Sequence, residues 1–127
     1  MHKSKLAGFI IDCQTRDLAG AARFWGQALG MAVEELPGDE GQRYVRLKDP
    51  AQQLHIEVQS VDHPSRVHLD IETDDIAAEV ERLQALGAEV VEHIQSWCVM
   101  QAPTGQRFCV VNKDSARFDQ EANCWQD

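Results

Sequence analysis

An internal duplication constrains the fold of this 127-residue chain more than any other feature of its sequence. Aligned without a gap, residues 9–19 and residues 67–77 are identical at four of eleven positions: Asp12/Asp70, Thr15/Thr73, Asp17/Asp75 and Ala19/Ala77. When one residue is left out of the first copy, residues 28–35 match residues 85–92 at five of eight positions. Unrelated sequences of ordinary composition share roughly one residue in nineteen. The chain therefore contains the same structural unit twice.

Each copy predicts one strand, one helix and three further strands. In the stretch VHLDIET, apolar Val67, Leu69 and Ile71 alternate with polar side chains, which is the period of a strand with one buried face. The stretch FIIDCQ, residues 9–14, has the same alternation. Short strands such as QRYVRL and LHIEVQ follow the first helix, and SWCVMQ and RFCVVN follow the second. The pattern predicts an α+β fold made of two βαβββ repeats.

Acidic residues and glycines mark the ends of the two helices. Asp17 and the pair Asp74-Asp75 are placed to accept hydrogen bonds from free amide groups at a helix start. Gly30 and Gly87 stand where a helix commonly ends in a left-handed residue. These signals predict a helix start at Asp74-Asp75 rather than a metal-binding acidic pair.

The length predicts one domain over residues 1–112, with repeats at about 6–60 and 64–112. Residues 113–127 are mostly polar, and we expect a frayed tail or a docking segment there. The formal net charge of -9 argues against nucleic acid and against an anionic membrane surface as partners, because both favour basic patches. No apolar run approaches the roughly 20 residues of a membrane-spanning helix, and no signal peptide is indicated, so a cytoplasmic location is expected.

If the helices cover the apolar side of the strands, the opposite side faces a cleft. Alternation then predicts which side chains line it, although a slip of one residue would invert the assignment. The residues predicted on the cleft side are Ile10, Asp12, Gln14, His55, Glu57, His68, Asp70, Glu72, Arg107, Cys109 and Val111. Leu54, Ile56 and Val58 are predicted on the helix side.

From about residue 9 to residue 112 the chain resembles the vicinal oxygen chelate superfamily, and in particular its glyoxalase-like and bleomycin-resistance-like branch. The stretch DLAGAARFWGQALGM resembles the first helix of that superfamily and the leucine-glycine pair that ends it. The stretches VHLDIETDDIAAEVERLQALGA and APTGQRFCVVN resemble its second strand–helix unit and its final turn and strand. The resemblance implies a curled mixed sheet around a cleft, a homodimer and a small organic ligand.

The resemblance also implies four metal ligands, which fall on Ile10, Glu57, His68 and Cys109 of this sequence. Glu57 and His68 match the pattern, whereas Ile10 has no atom that can bind a metal. A thiolate at Cys109 favours zinc among the divalent metals. The predicted metal residues are therefore Glu57, His68 and Cys109, and a cleft without metal is the alternative.

Several roles stay open for the residues of the cleft. A third metal ligand could come from Cys109, Asp12, Asp70 or His55. Glu57 and His68 are instead the catalytic residues if they act without metal as an acid–base pair. The other histidines, His2, His63 and His93, are expected at the surface.

The ligand-binding residues predicted in the cleft are Asp12, Arg46, His55, Asp70, Trp97, Arg107 and Cys109. Arg46 and Arg107 could hold an anionic group of the ligand, and Trp97 could stack on a planar ligand or simply pack.

Two classes of function remain. The first is a lyase, isomerase or ring-cleaving dioxygenase that uses Glu57 and His68 with or without a divalent metal. The second is non-catalytic sequestration of a small molecule, as in the bleomycin-resistance-like relatives.

Overall fold

A computed structural model describes residues 1–126, so Asp127, the last residue of the predicted tail, lies outside the described residues. The fold is α+β, as predicted. The chain forms two compact units, one of Gly8–His68 and one of Met1–Ala7 with Leu69–Asp127. Among residues 1–126, no helix has the length and apolar character that crossing a membrane requires.

The first unit is a four-stranded sheet with one long helix. Its strands run in the order β2-β3-β4-β1; β1 and β4 are parallel, and the other neighbours are antiparallel. The elements are β1 (His2–Gln14, whose first residues belong to the second unit), α1 (Leu18–Leu29), β2 (Ala32–Glu35), a short 3-10 helix (Gly38–Gln42), β3 (Tyr44–Lys48) and β4 (His55–Val61).

The second unit repeats this arrangement with the strand order β5-β8-β7-β6. Strands β5 and β8 are parallel, and the other neighbours are antiparallel. The elements are β5 (Arg66–Thr73, which begins in the first unit), α2 (Ile76–Ala85), β6 (Glu89–Ile94), β7 (Trp97–Gln101), β8 (Arg107–Asn112), α3 (Phe118–Glu121) and β9 (Asn123–Trp125).

The cores confirm the predicted alternation for most strands. In the first unit, Ile11, Ile56 and Val58 are buried with Leu47, and Phe9 and several α1 residues pack against them. In the second unit, the buried core consists of Val80, Leu83, Ala88, Cys98, Met100, Phe108 and Val110. Alternate side chains of each strand therefore face the helix of their own unit, and the polar side chains between them lie on the opposite face.

The predicted helix boundaries are also confirmed. The Asp17 carboxylate accepts a hydrogen bond from the Gly20 amide at 2.9 Å, and Asp75 accepts one from the Ala78 amide at 3.0 Å. Gly30 caps α1 with a φ of 69°, a conformation that costs other residues energy because of their Cβ atom. Asp75 therefore caps the start of α2, whereas the Asp74 carboxylate accepts a hydrogen bond from the Lys3 amide at 2.8 Å.

Three apolar side chains predicted to be buried are exposed. Val67 and Leu69 of β5 are 58% and 51% exposed, and Leu54, which precedes β4, is 39% exposed. Alternation tells which side chains share a face of a strand, but it does not tell whether another element covers that face. The prediction for these three residues was wrong for that reason.

The prediction that His2 lies at the surface was also wrong. His2 is 1% exposed, and its Nε2 atom lies 2.7 Å from Oε1 of Glu79 on α2. Arg82 donates to both oxygens of Glu79, from Nε at 2.9 Å and from Nη2 at 2.8 Å. The first strand and α2 are thereby joined through one buried carboxylate.

The residues after Asn112 also have secondary structure up to Trp125. Strand β9 pairs antiparallel with the beginning of β1, with Trp125 opposite His2. The Trp125 indole donates to the Ser4 hydroxyl at 2.8 Å, and the Arg82 guanidinium lies 3.9 Å from the centre of the indole ring. Cation–π contacts of this kind add to stability.

The Glu79 network predicts a pH dependence of folding. Burial alone would raise the pKa of Glu79, but hydrogen bonds from Arg82, His2 and Ser4 outweigh it and lower the pKa below its ordinary value of 4.5. A lowered folded-state pKa gives stability that is complete above pH 4.5 and is lost as the pH falls through the folded-state value. Chemical unfolding of the wild type and of Glu79→Gln at several acidic pH values checks this: the wild type loses more stability on acidification than the variant, and parallel losses would contradict the assignment.

Candidate functional site

Asp12 and His68 form the best-defined polar contact on the face of the first unit that lies opposite α1. Nδ1 of His68 lies 2.8 Å from Oδ2 of Asp12, and Asp12 is only 2% exposed. Because an ionised carboxylate only accepts hydrogen bonds, Nδ1 is the donor. In the neutral form of the imidazole, the proton is then on Nδ1 and the lone pair is on Nε2.

Arg66 adds a cation to this pair and was not predicted from the sequence. Its Nε atom lies 3.7 Å from the same Oδ2 of Asp12, and its side chain is 46% exposed. The available signal was positional, since Arg66 and His68 lie two residues apart on β5 and so share one face. An ion pair this exposed is weak, so Arg66 is secondary to His68 in holding Asp12.

His68 also belongs to a group with metal-ligand geometry on strands β5 and β8. One potential ligand atom each of His68, Asp70 and Cys109 lies within 4.8 Å of the other two. Strand pairing explains the group: Asp70 and Cys109 are Cα partners in parallel strands, and His68 precedes Asp70 by two residues on the same face. From the sequence, Asp70 was predicted as a ligand-binding residue of the cleft and as one of several candidates for a third metal ligand.

The donor atoms of this group suit a divalent transition metal. Imidazole nitrogen, carboxylate oxygen and thiolate sulfur are all zinc ligands, and three protein ligands leave one tetrahedral position for another molecule. The sulfur donor disfavours magnesium and calcium, which prefer oxygen ligands. The residues present therefore fit a zinc-type ion.

Glu57 has different neighbours from those expected of a metal ligand. Its Oε2 atom lies 3.2 Å from His55 Nε2 and 3.5 Å from Arg46 Nη2. Arg46 is its direct partner across strands β3 and β4, and Ile10 is its partner on β1. Within residues 1–126, the group with metal-ligand spacing contains Asp70 and not Glu57. The Glu57 carboxylate is thus in contact with two basic side chains, Arg46 and His55.

The remaining predicted binding residues lie in the second unit. Arg107 on β8 donates from Nε to the Gln101 side chain at 3.0 Å. Trp97 lines an open groove of about 550 Å³, whose other lining residues are Ile76, Ala77, Val80, His93, Gln95, Ser96 and Asn112.

The cysteines differ in their surroundings. Burial raises the pKa of the Cys98 thiol, which is fully buried, and burial likewise raises the pKa of Cys13. A raised pKa keeps both as unreactive thiols at neutral pH. Cys109, which is half-buried beside His68 and Asp70, is the one in a polar cluster.

Two βαβββ units with this strand order identify the chain as a member of the vicinal oxygen chelate superfamily. The model of the glyoxalase-like domain matches residues 8–111, and the chain therefore belongs to the glyoxalase-like domain family. No curated protein sequence matches the chain.

Solved structures share the fold at low sequence identity. A hypothetical protein from Bacillus halodurans has a TM-score of 0.64 and 12% identity, over 87% of this chain and 95% of its own. Methylmalonyl-CoA epimerase from Mycobacterium tuberculosis has a TM-score of 0.63 and 19% identity, over 86% of this chain and 87% of its own. A mutant of 4-hydroxymandelate synthase from Streptomyces coelicolor has a TM-score of 0.58 and 14% identity, over 91% of this chain and 50% of its own. At such identities these likenesses establish the fold and not the activity.

Proposed function

We propose that this glyoxalase-like protein binds one divalent metal ion, zinc or a similar transition metal, and acts as a lyase or isomerase on a small organic molecule. The observation that carries the proposal is the group of His68, Asp70 and Cys109, with one potential ligand atom of each within 4.8 Å of the others. The contact between Asp12 and His68 supports it, because metal-binding histidines commonly donate their second nitrogen to a carboxylate.

The first unit contains a carboxylate and an imidazole that could exchange a proton. When bound, a divalent metal polarises oxygen atoms of a substrate. Glu57 Oε2 and His55 Nε2 lie 3.2 Å apart, so a proton can pass between the carboxylate and the imidazole. Arg46 lies against the same Glu57 oxygen and holds the carboxylate in place. In the proposal, Glu57 exchanges a proton with the substrate and His68 holds the metal.

Sequestration without turnover is the second candidate, and a specific observation favours it. Of the four ligand positions implied by the superfamily, Ile10 is apolar and Glu57 already contacts two basic side chains. A protein that only sequesters a small molecule needs neither a metal nor an acid–base group. Homodimer formation and a cytoplasmic location remain predictions under either candidate.

Titration of chelator-treated protein with Co²⁺ tests the metal proposal. Because Cys109 supplies sulfur, we expect a thiolate-to-cobalt charge-transfer band that saturates at about one ion per chain. Cys109→Ser should remove that band, and Cys124→Ser, which changes an exposed cysteine, should keep it. If the spectrum remains that of aqueous cobalt, or if the band persists in Cys109→Ser, the assigned ligands are wrong. Either result would favour sequestration.

A further inference from the structure

Arg46 is a half-buried cation whose N–H groups are not all paired within the protein. Its Nε atom is buried and has no hydrogen-bond partner among residues 1–126. Its Nη2 atom lies 3.5 Å from Oε2 of Glu57. That separation forms an ion pair, but it exceeds the about 2.7–2.9 Å of a charge-assisted hydrogen bond. Because a buried N–H group without an acceptor lowers stability, folding alone does not explain the position of this guanidinium.

Arg107, the other arginine predicted to hold an anionic group, has a different environment. Its Nε atom donates to the Gln101 side chain at 3.0 Å. The N–H group that has no acceptor in Arg46 is thus paired with a neighbouring side chain in Arg107. Of the two predicted anchors, Arg46 is therefore the one whose guanidinium still requires an acceptor.

The charges around Arg46 favour an anion. Arg46 lies opposite Glu57 on β4 and opposite Glu34 on β2, so the three side chains share one face of the sheet. Glu34 contacts Lys48 at 3.6 Å, whereas the Glu57 carboxylate is shared by Arg46 and His55. When His55 is protonated, one carboxylate faces two cations. A further negative group is therefore attracted to this place, although the formal net charge of the protein is -9.

Resting on the proposed function for its small organic ligand, we propose that Arg46 binds a carboxylate group of that ligand, which makes the ligand a small organic acid. A planar carboxylate can accept two parallel N–H groups of a guanidinium, a pairing with both strength and defined geometry. The Arg46 side chain is 34% exposed. Because no acceptor holds Nε in place, the guanidinium can turn toward a carboxylate. The acid is then bound beside Glu57, the group that exchanges a proton with it.

Nitrogen-15 NMR of the arginine side chains in the metal-free protein tests this directly. The Nε–H signal of Arg46, assigned by its loss in Arg46→Lys, should shift and saturate on titration with at least one of acetate, lactate, succinate and benzoate. The corresponding uncharged amides, acetamide, lactamide, succinamide and benzamide, should leave the signal in place. A signal that no carboxylate moves, or that the amides move equally, would overturn the proposal.

Matched variants measure how much Arg46 contributes to binding of the carboxylate that shifts its signal. We expect Arg46→Gln to weaken that binding by about 10- to 100-fold, the usual effect of losing hydrogen bonds to a charged group. Arg46→Lys keeps the charge but not the planar fork, so its affinity should lie in between. Arg43→Gln removes an exposed arginine of the same unit and should bind as the wild type does.

Isothermal titration measures these affinities, and thermal unfolding shows whether each variant is folded. Wild-type affinity in Arg46→Gln, or a larger loss in Arg107→Gln than in Arg46→Gln, would overturn the assignment of Arg46.

Failure of this inference is distinguishable from failure of the proposed function, because the two have separate readouts. A cobalt charge-transfer band in a protein whose Arg46 signal no carboxylate moves overturns the role of Arg46 alone. A carboxylate effect on Arg46 without any bound cobalt supports the anion site, in a protein that sequesters a small organic acid.

Discussion

Replacement of Glu79 by alanine is expected to lower the free energy of unfolding by about 3–5 kcal/mol, the typical cost of removing one partner of a buried ion pair. Glu79 is fully buried and accepts two hydrogen bonds from Arg82 in addition to its contact with His2. Without the carboxylate, the His2 ring stays buried beside an uncompensated guanidinium. The loss should be visible as a lower midpoint of urea unfolding at neutral pH.

The control for this prediction lies on the same helix. Glu81 is exposed, and Glu81→Ala removes the same side chain from α2 without disturbing the buried network. It should change stability by no more than about 0.5 kcal/mol. Equal effects of the two substitutions would mean that the network around Glu79 does not stabilise the fold.

Replacement of His68 by alanine is expected to have the largest effect on metal binding. Loss of the partner of a ligand costs about 10- to 100-fold in affinity, so loss of the ligand itself should cost more than about 100-fold. Asp70 and Cys109 would be left as a two-ligand site, too few for a specific divalent site in a protein. Isothermal titration of chelator-treated protein with Zn²⁺ measures the loss.

Two comparisons separate loss of the ligand from loss of folding. His68→Ala also leaves Asp12 without its hydrogen-bond donor, so His68→Gln, which retains a donor, is measured beside it. His63→Ala removes an imidazole whose Nδ1 contacts only the neighbouring Pro64 carbonyl among the bonds described, and it should bind zinc as the wild type does. Wild-type affinity in both His68 variants would remove His68 from the site.

The sequence predicted the local part of the fold well because the signals for it are local. The carboxylates of Asp17 and Asp75 cap the helices three residues away, and the alternation around Ile11 and Ile56 selects the face that packs on α1. Each of these depends on neighbours within a few positions of the chain.

Contacts between distant parts of the chain were not predictable in this way. The pairing of His2 with Glu79 spans 77 positions, and the pairing of β9 with β1 joins the two ends of the chain. Neither residue type nor spacing in the sequence predicts these two contacts, so His2 was predicted at the surface. The opposite error was made for Val67 and Leu69. Their regular alternation predicted burial, but nothing within residues 1–126 buries them.

For the candidate site, the sequence predicted which side chains share one face, but it did not predict which of them contact one another. Asp12 and His68 were both expected on the cleft side, yet their direct contact follows from three-dimensional packing across 56 positions. Glu57 was grouped with His68 because the superfamily pattern groups them. In the structure, Glu57 contacts Arg46 and His55, and Asp70 is the carboxylate beside His68 and Cys109.

The most direct test of the account is the metal content of the untagged protein, purified without chelator and measured by elemental mass spectrometry beside His68→Ala and His63→Ala. We expect about one zinc or similar transition-metal ion per chain in the wild type and in His63→Ala, and almost none in His68→Ala. No bound metal in the wild type, together with no rise in melting temperature on addition of zinc, cobalt, nickel or manganese, would contradict it.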